Sequence, residues 1–76
     1  MEFVTPTQET QTVRVNGESV ELPDEATVLV LLEKLELPAD RVAVEMDRAI
    51  VRRADWETTK IRPGASFEIV HFVGGG

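Results

Sequence analysis

Polar and apolar residues alternate through Thr12-Val13-Arg14-Val15 and again through Ser19-Val20-Glu21-Leu22, the period of strands that bury one face. Between them stands Asn16-Gly17, and because both residues tolerate the positive φ of a type I′ turn, the stretch predicts a hairpin. Pro23-Asp24-Glu25-Ala26 breaks the alternation, and Thr27 offers a hydroxyl as a helix N-cap. From Val28 the period changes: Val28, Leu31, Leu32 and Leu35 fall at i, i+3, i+4 and i+7, one buried stripe of a helix that runs to about Glu36 and is ended by Pro38. Leu29 and Val30 widen the apolar face beyond that stripe, which implies extra half-buried side chains.

Alternation returns in Val42-Ala43-Val44-Glu45-Met46 and, after Asp47-Arg48, in Ala49-Ile50-Val51-Arg52, a second predicted hairpin. Its turn is the poorer of the two, since arginine resists positive φ. Arg53 to Ile61 shows neither period; it reads as an irregular loop or short helical turn whose Trp56 plugs one end of the core. Pro63-Gly64 is a turn, and Phe67-Glu68-Ile69-Val70-His71-Phe72 is a last strand. Met1 to Gln11, rich in Thr, Gln and Glu with Pro6 inside, reads as a flexible N-terminal extension. Without repeats or an internal linker, the pattern gives one domain over 12–73 and a flexible glycine tail over 74–76.

Hairpin, helix, two strands, irregular turn and final strand is the order of an α+β fold of the β-grasp (ubiquitin-like) type. The expected architecture is a mixed four- to five-stranded sheet with one main helix packed on one face and water on the other. On the last strand Phe67 and Ile69 share the core face, so Val70 and Phe72 point towards water. An exposed apolar pair there, with Val73 following it, is a natural partner-docking surface.

Composition narrows the chemistry. The 76 residues are 42% hydrophobic and 29% charged, ordinary globular material, with no apolar stretch long enough for a membrane span and no secretory signal at Met1-Glu2-Phe3-Val4-Thr5; the expected location is cytoplasmic. There is no cysteine and a single histidine, His71, so thiol nucleophiles, zinc-thiolate sites, iron–sulfur clusters and a His-based metal site or triad drop out, and no metal site is expected. His71 reads as a partly exposed strand residue. The net charge of −6 argues against nucleic acid and anionic membranes as partners. Nine acids against Arg14 and Lys34 leave residues 1–40 at −7, whereas residues 41–76 sum to +1. That asymmetry either steers a basic partner or keeps a small domain soluble.

The chain closes on Phe72-Val73-Gly74-Gly75-Gly76. Lacking Cβ atoms, the glycines pass through a channel too narrow for any side chain and leave the last carboxyl group unhindered. Such a tail costs entropy to order and adds no packing, so its purpose is chemical, unless it is a frayed end or a cloning scar. Against the latter, the glycines abut a strand without a linker and no tag accompanies them. An enzyme acting alone does not fit this inventory; a protein acted upon by other enzymes does.

Val15-Asn16-Gly17-Glu18, Ala26-Thr27-Val28 with Leu31, Leu32 and Leu35, Val42-Ala43-Val44-Glu45, and above all Glu68-Ile69-Val70 leading to the Phe-Val-Gly-Gly-Gly ending resemble the ThiS family of sulfur carriers in thiamine biosynthesis. The resemblance covers roughly Thr12 to Gly76. It implies that the Gly76 carboxylate is adenylated by an E1-like adenylyltransferase (ThiF-like), converted to a thiocarboxylate by a sulfur donor such as a cysteine desulfurase system, and used by thiazole synthase (ThiG-like). It also implies that Gly74 and Gly75 thread the partner's channel, and that ATP and Mg belong to the activating enzyme, with no cofactor bound by this chain. Glu36 stands where the family has a helix-ending glycine, Asp47-Arg48 replaces Asn-Gly, and Ala65-Ser66 stands where an acidic residue is common. Two other readings remain open: a sister carrier serving molybdopterin synthase or tRNA thiolation, and a ubiquitin-like interaction module with an inert tail.

Overall fold

The computed structural model describes residues 9–72. Five strands form one mixed sheet: β1 (Thr10–Val15), β2 (Glu18–Pro23), β3 (Val42–Met46), β4 (Ala49–Val51) and β5 (Ser66–His71), in the spatial order β2-β1-β5-β3-β4. β1 is antiparallel to β2 and parallel to β5, and β3 is antiparallel to both β5 and β4. The helix α1 (Val28–Lys34) connects β2 to β3, and 3-10 turns occupy Ala39–Arg41 and Arg53–Asp55. This is the β-grasp, ubiquitin-like fold that the period changes predict. No described helix is long and apolar enough to cross a membrane.

The inward positions of the strands meet α1. Val13, Val15, Leu22, Val42, Val44, Phe67 and Ile69 from the sheet close on Val28, Leu31 and Leu32, with Ala26, Trp56, Ile61 and Ala65 sealing the ends. Leu29, Val30 and Leu35 are half-buried around this core, which accounts for the wide apolar face of the helix. Phe67, only 1% exposed, lies on the central strand, so the last strand is the middle of the sheet and the centre of the core at once.

Both predicted hairpins form. Asn16 and Gly17 take φ of 50° and 87°, and Asp47 and Arg48 take 51° and 75°, so the second turn adopts positive φ at both positions despite the arginine. Interactions outside the turn hold it there: Asp47 N–H donates to the Ser66 carbonyl at 2.7 Å, and Asp47 Oδ1 accepts from Ser66 N–H at 2.9 Å. The 3-10 turn at Ala39–Arg41, in contrast, had no periodic signal to announce it.

α1 ends before Pro38 acts. Leu35 is the C-cap, Glu36 enters the left-handed region at φ 59°, Glu36 N–H donates to Glu33 C=O and Leu37 N–H to Leu32 C=O, both at 3.1 Å. Those are the two bonds of a Schellman motif, formed without its usual glycine.

β1 starts at Thr10, two residues earlier than the alternation suggests. The boundary at Gln11 is thereby corrected: Gln11 points inward and is buried, because its Nε2 donates to the carbonyls of Ile61 (3.2 Å) and Pro23 (3.3 Å). A glutamine reads as polar along the sequence, yet here it serves as a strap between β1 and two connections. The rest of the expected leader, 1–8, lies outside the described residues.

Candidate functional site

The side of the sheet opposite α1 carries the candidate site. Register puts Val70 beside Ala43, Glu68 beside Glu45, and Glu45 beside Ile50, so Val70, Ala43, Glu68, Glu45 and Ile50 share this outer face. Phe72 follows Val70 at the same parity, and its N–H donates to the Arg41 carbonyl at 2.7 Å, which holds the chain beside the start of β3 as it leaves the sheet. Exposed large hydrophobics among the described residues number three: Ile50 (73%), Val70 (57%) and Phe72 (53%). All of them lie on this one face. A side chain of that size in water on a domain this small marks a contact surface when several are aligned.

Val70 and Phe72 stand outward as the strand parity predicts. Val73, Gly74, Gly75 and Gly76 lie outside the described residues, so the structure places the strand that leads to the tail and not the tail itself. Ile50 was not singled out from sequence, although a signal existed. A two-residue turn at Asp47-Arg48 pairs Met46 with Ala49 and Glu45 with Ile50; since Val44 faces the core, Glu45 and its partner Ile50 must face out.

Electrostatically the face is divided. Glu45 and Glu68 sit directly across from one another, a like-charge pair that costs the sheet a few tenths of a kcal/mol. A shallow hollow of about 600 Å³ is bordered by these two with Asp47, Arg48 and Ser66, on the part of the face away from Phe72. Arg62 Nη2 approaches Asp47 Oδ2 at 4.0 Å, an exposed pair of little energetic weight. His71, exposed at the end of β5, faces the opposite side, where it borders a groove with Asn16, Leu35, Leu37 and Ile69. Among the described residues no group of three or more His, Asp or Glu is arranged to hold a metal ion. The feature this face presents is its aligned apolar row, Ile50, Val70 and Phe72, beside the point where the chain leaves the sheet.

Comparison with known proteins bears on that arrangement. The model of the ThiS family matches residues 3–76, a longer stretch than the motifs alone covered. The chain is 33% identical over 64 residues to a thiazole synthase of Magnetococcus marinus and 36% identical over 62 residues to a thiazole synthase of Paramagnetospirillum magneticum, covering 84% and 82% of this chain. It spans about a fifth of the length of those relatives, 20% and 19%. The crystal structure of the thiamine biosynthesis protein ThiS from Geobacter metallireducens superimposes with a TM-score of 0.74 at 28% identity, over 87% of this chain and 100% of that one.

Proposed function

This chain belongs to the ThiS family, and from that premise we propose that it is a cytoplasmic sulfur carrier of thiamine biosynthesis whose working group is the carboxylate of Gly76. The observation that carries the reading is the family match over residues 3–76 on a domain in which Ile50, Val70 and Phe72, the exposed large hydrophobics among the described residues, line the face beside the strand leading to Gly74-Gly75-Gly76.

The chemistry follows from the group. A carboxylate is a poor electrophile, so an E1-like adenylyltransferase brings ATP and Mg, the carboxylate oxygen attacks the α-phosphorus, and pyrophosphate leaves. The acyl-adenylate now has AMP as a good leaving group. The outer sulfur of a donor persulfide, such as one carried by a cysteine desulfurase system, attacks the acyl carbon and AMP departs; a thiol reductant then cleaves the resulting S–S bond, taking up the donor sulfur as a disulfide and leaving the terminus as a thiocarboxylate. Thiazole synthase then draws the sulfur into the thiazole ring; the likeness to two thiazole synthases supports that partner over molybdopterin synthase or a tRNA-thiolating enzyme.

Each part of the chain has a role in this scheme. Val70, Phe72 and Val73, joined by Ile50, form the docking surface, and Gly74 and Gly75 thread the narrow channel because they have no side chain to obstruct it. The chain itself supplies no acid, base or metal to the reaction; it is a co-substrate. The test is an incubation of the full chain with adenylyltransferase and radiolabelled pyrophosphate. ATP–pyrophosphate exchange that depends on this protein supports the carrier reading, and its absence beside a carrier that does support exchange returns the protein to the class of inert ubiquitin-like modules.

A further inference from the structure

We infer that Asn16 is a positioning residue that clamps the end of β5 and so fixes the stretch from which the tail and its docking side chains emerge. β1 and β5 pair in parallel only through Arg14 with Ser66 and Val15 with Phe67. Arg14 N–H donates to the Ala65 carbonyl at 2.9 Å and Asn16 N–H to the Phe67 carbonyl at 2.8 Å, alternate steps of one ladder. The next step would need an acceptor and a donor opposite Ile69, but the backbone has already turned away: Asn16 and Gly17 both have positive φ. The Asn16 side chain fills that step. Its Oδ1 accepts from Ile69 N–H at 2.9 Å and its Nδ2 donates to the Ile69 carbonyl at 3.2 Å.

A carboxamide has the same donor–acceptor geometry as a peptide group, so it extends the ladder by one residue beyond the strand that carries it. These two bonds also assign the amide's orientation, because the oxygen must face the N–H and the nitrogen must face the carbonyl. Val70 and Phe72 begin one residue beyond Ile69. Without the clamp, β5 past Phe67 would be held from one side only, by β3. Asparagine is thus selected here twice over, for its tolerance of positive φ in the turn and for its amide, and only the second demand excludes glycine.

The positioning role rests on the sulfur-carrier reading, whereas the clamp does not, and the experiment separates them. Asn16→Gly keeps the turn, since Gly-Gly satisfies a type I′ hairpin, and removes the amide alone. In hydrogen exchange on the full chain, the Ile69 amide should exchange roughly thirtyfold faster in the variant, the effect of losing two hydrogen bonds. In the adenylyltransferase assay KM should rise about tenfold with kcat within about twofold, because a frayed strand must be re-ordered on docking but is seated normally once docked. Thr27→Ala, which removes a helix cap on another element, should leave KM at the wild-type value and so controls for general destabilisation. Unchanged Ile69 protection would overturn the clamp. Lost protection with an unchanged KM, or a KM rise shared by Thr27→Ala, would overturn the positioning role. If the wild type itself is never activated, the carrier reading falls and the positioning role with it, while the exchange measurement still decides the clamp.

Discussion

Two phenylalanines separated by five positions on the same strand segment carry opposite duties. Phe67 is 1% exposed at the centre of the core, and its truncation to alanine should cost about 3–5 kcal/mol, much of the stability of a domain this size. Phe72 is 53% exposed, and its ring has little to lose on unfolding. Phe72→Ser should therefore lower the affinity for the adenylyltransferase at least tenfold while shifting the urea midpoint only slightly, since surface substitutions cost about 0.5 kcal/mol or less. Ile50→Ser, on the same face, should behave alike. Comparing Kd by titration calorimetry with the urea midpoint checks both, and unfolding of Phe72→Ser would move that side chain into the core. Glu36 makes a third residue-scale case. At φ 59° its Cβ is strained, and glycine there relieves the strain without breaking the Schellman bonds. Glu36→Gly should stabilise by about 1 kcal/mol and raise Tm by about 4–8 °C in a thermal scan.

At the scale of elements, the stretches that obey a period were legible and those ordered by tertiary bonds were not. The hairpins, β3 and the start of α1 can be read from alternation, the turn pair Asn16-Gly17 and the i, i+3, i+4 stripe. Arg53 to Ile61 could be read only as irregular, and the structure gives the reason. Its backbone caps the helix: Val28 N–H donates to the Thr59 carbonyl and Leu29 N–H to the Trp56 carbonyl, both at 3.0 Å, while Thr27 takes the next two through Oγ1 (Val30 N–H, 3.4 Å) and its carbonyl (Leu31 N–H, 3.1 Å). The orphan donors Val28, Leu29 and Val30 are thereby satisfied, the first two by residues about thirty positions away, which no local pattern reports, and Leu31 N–H begins the helix's own ladder. Trp56 was legible as a plug, but its indole bond to the Val51 carbonyl at 2.8 Å was not. That bond ties the loop to β4, and Trp56→Phe should cost about 1–3 kcal/mol by leaving a carbonyl unpaired beneath the loop. The urea midpoint should fall with an unchanged m-value, because the same surface is exposed on unfolding. The outer face shows the same division: Val70 and Phe72 follow from parity on one strand, whereas Ile50 requires the register of two.

Taken as a whole molecule, the fold places the central strand of its sheet directly upstream of the C-terminal glycines. β5 is central in the sheet, clamped through Asn16 on one side and paired with β3 on the other, so its position is fixed by the whole domain. Under the proposed function the carboxylate's reach from that fixed point is then set by chain length alone, since glycines have no side chain with which to compensate. Deleting Gly76 leaves a carboxylate on Gly75, the same chemical group, but roughly 3.5 Å short. Reacting atoms must approach to about 3–3.5 Å, and a misplacement of 1 Å can cost on the order of a hundredfold. The shortened chain should keep the wild-type Tm, because a terminal glycine has no side chain to pack, yet be activated at least a hundredfold more slowly. Intact-mass spectrometry after incubation with adenylyltransferase, ATP and a sulfur source reads this directly: the wild type should gain the mass difference between sulfur and oxygen on its C-terminal peptide, and the shortened chain should not within the same time. Equal gains in the two would mean that the partner's channel tolerates a missing residue and that reach does not control activation. No gain in the wild type, where another ThiS-family carrier gains it in the same mixture, would remove Gly76 from the chemistry and leave the exposed apolar face as an interaction surface alone.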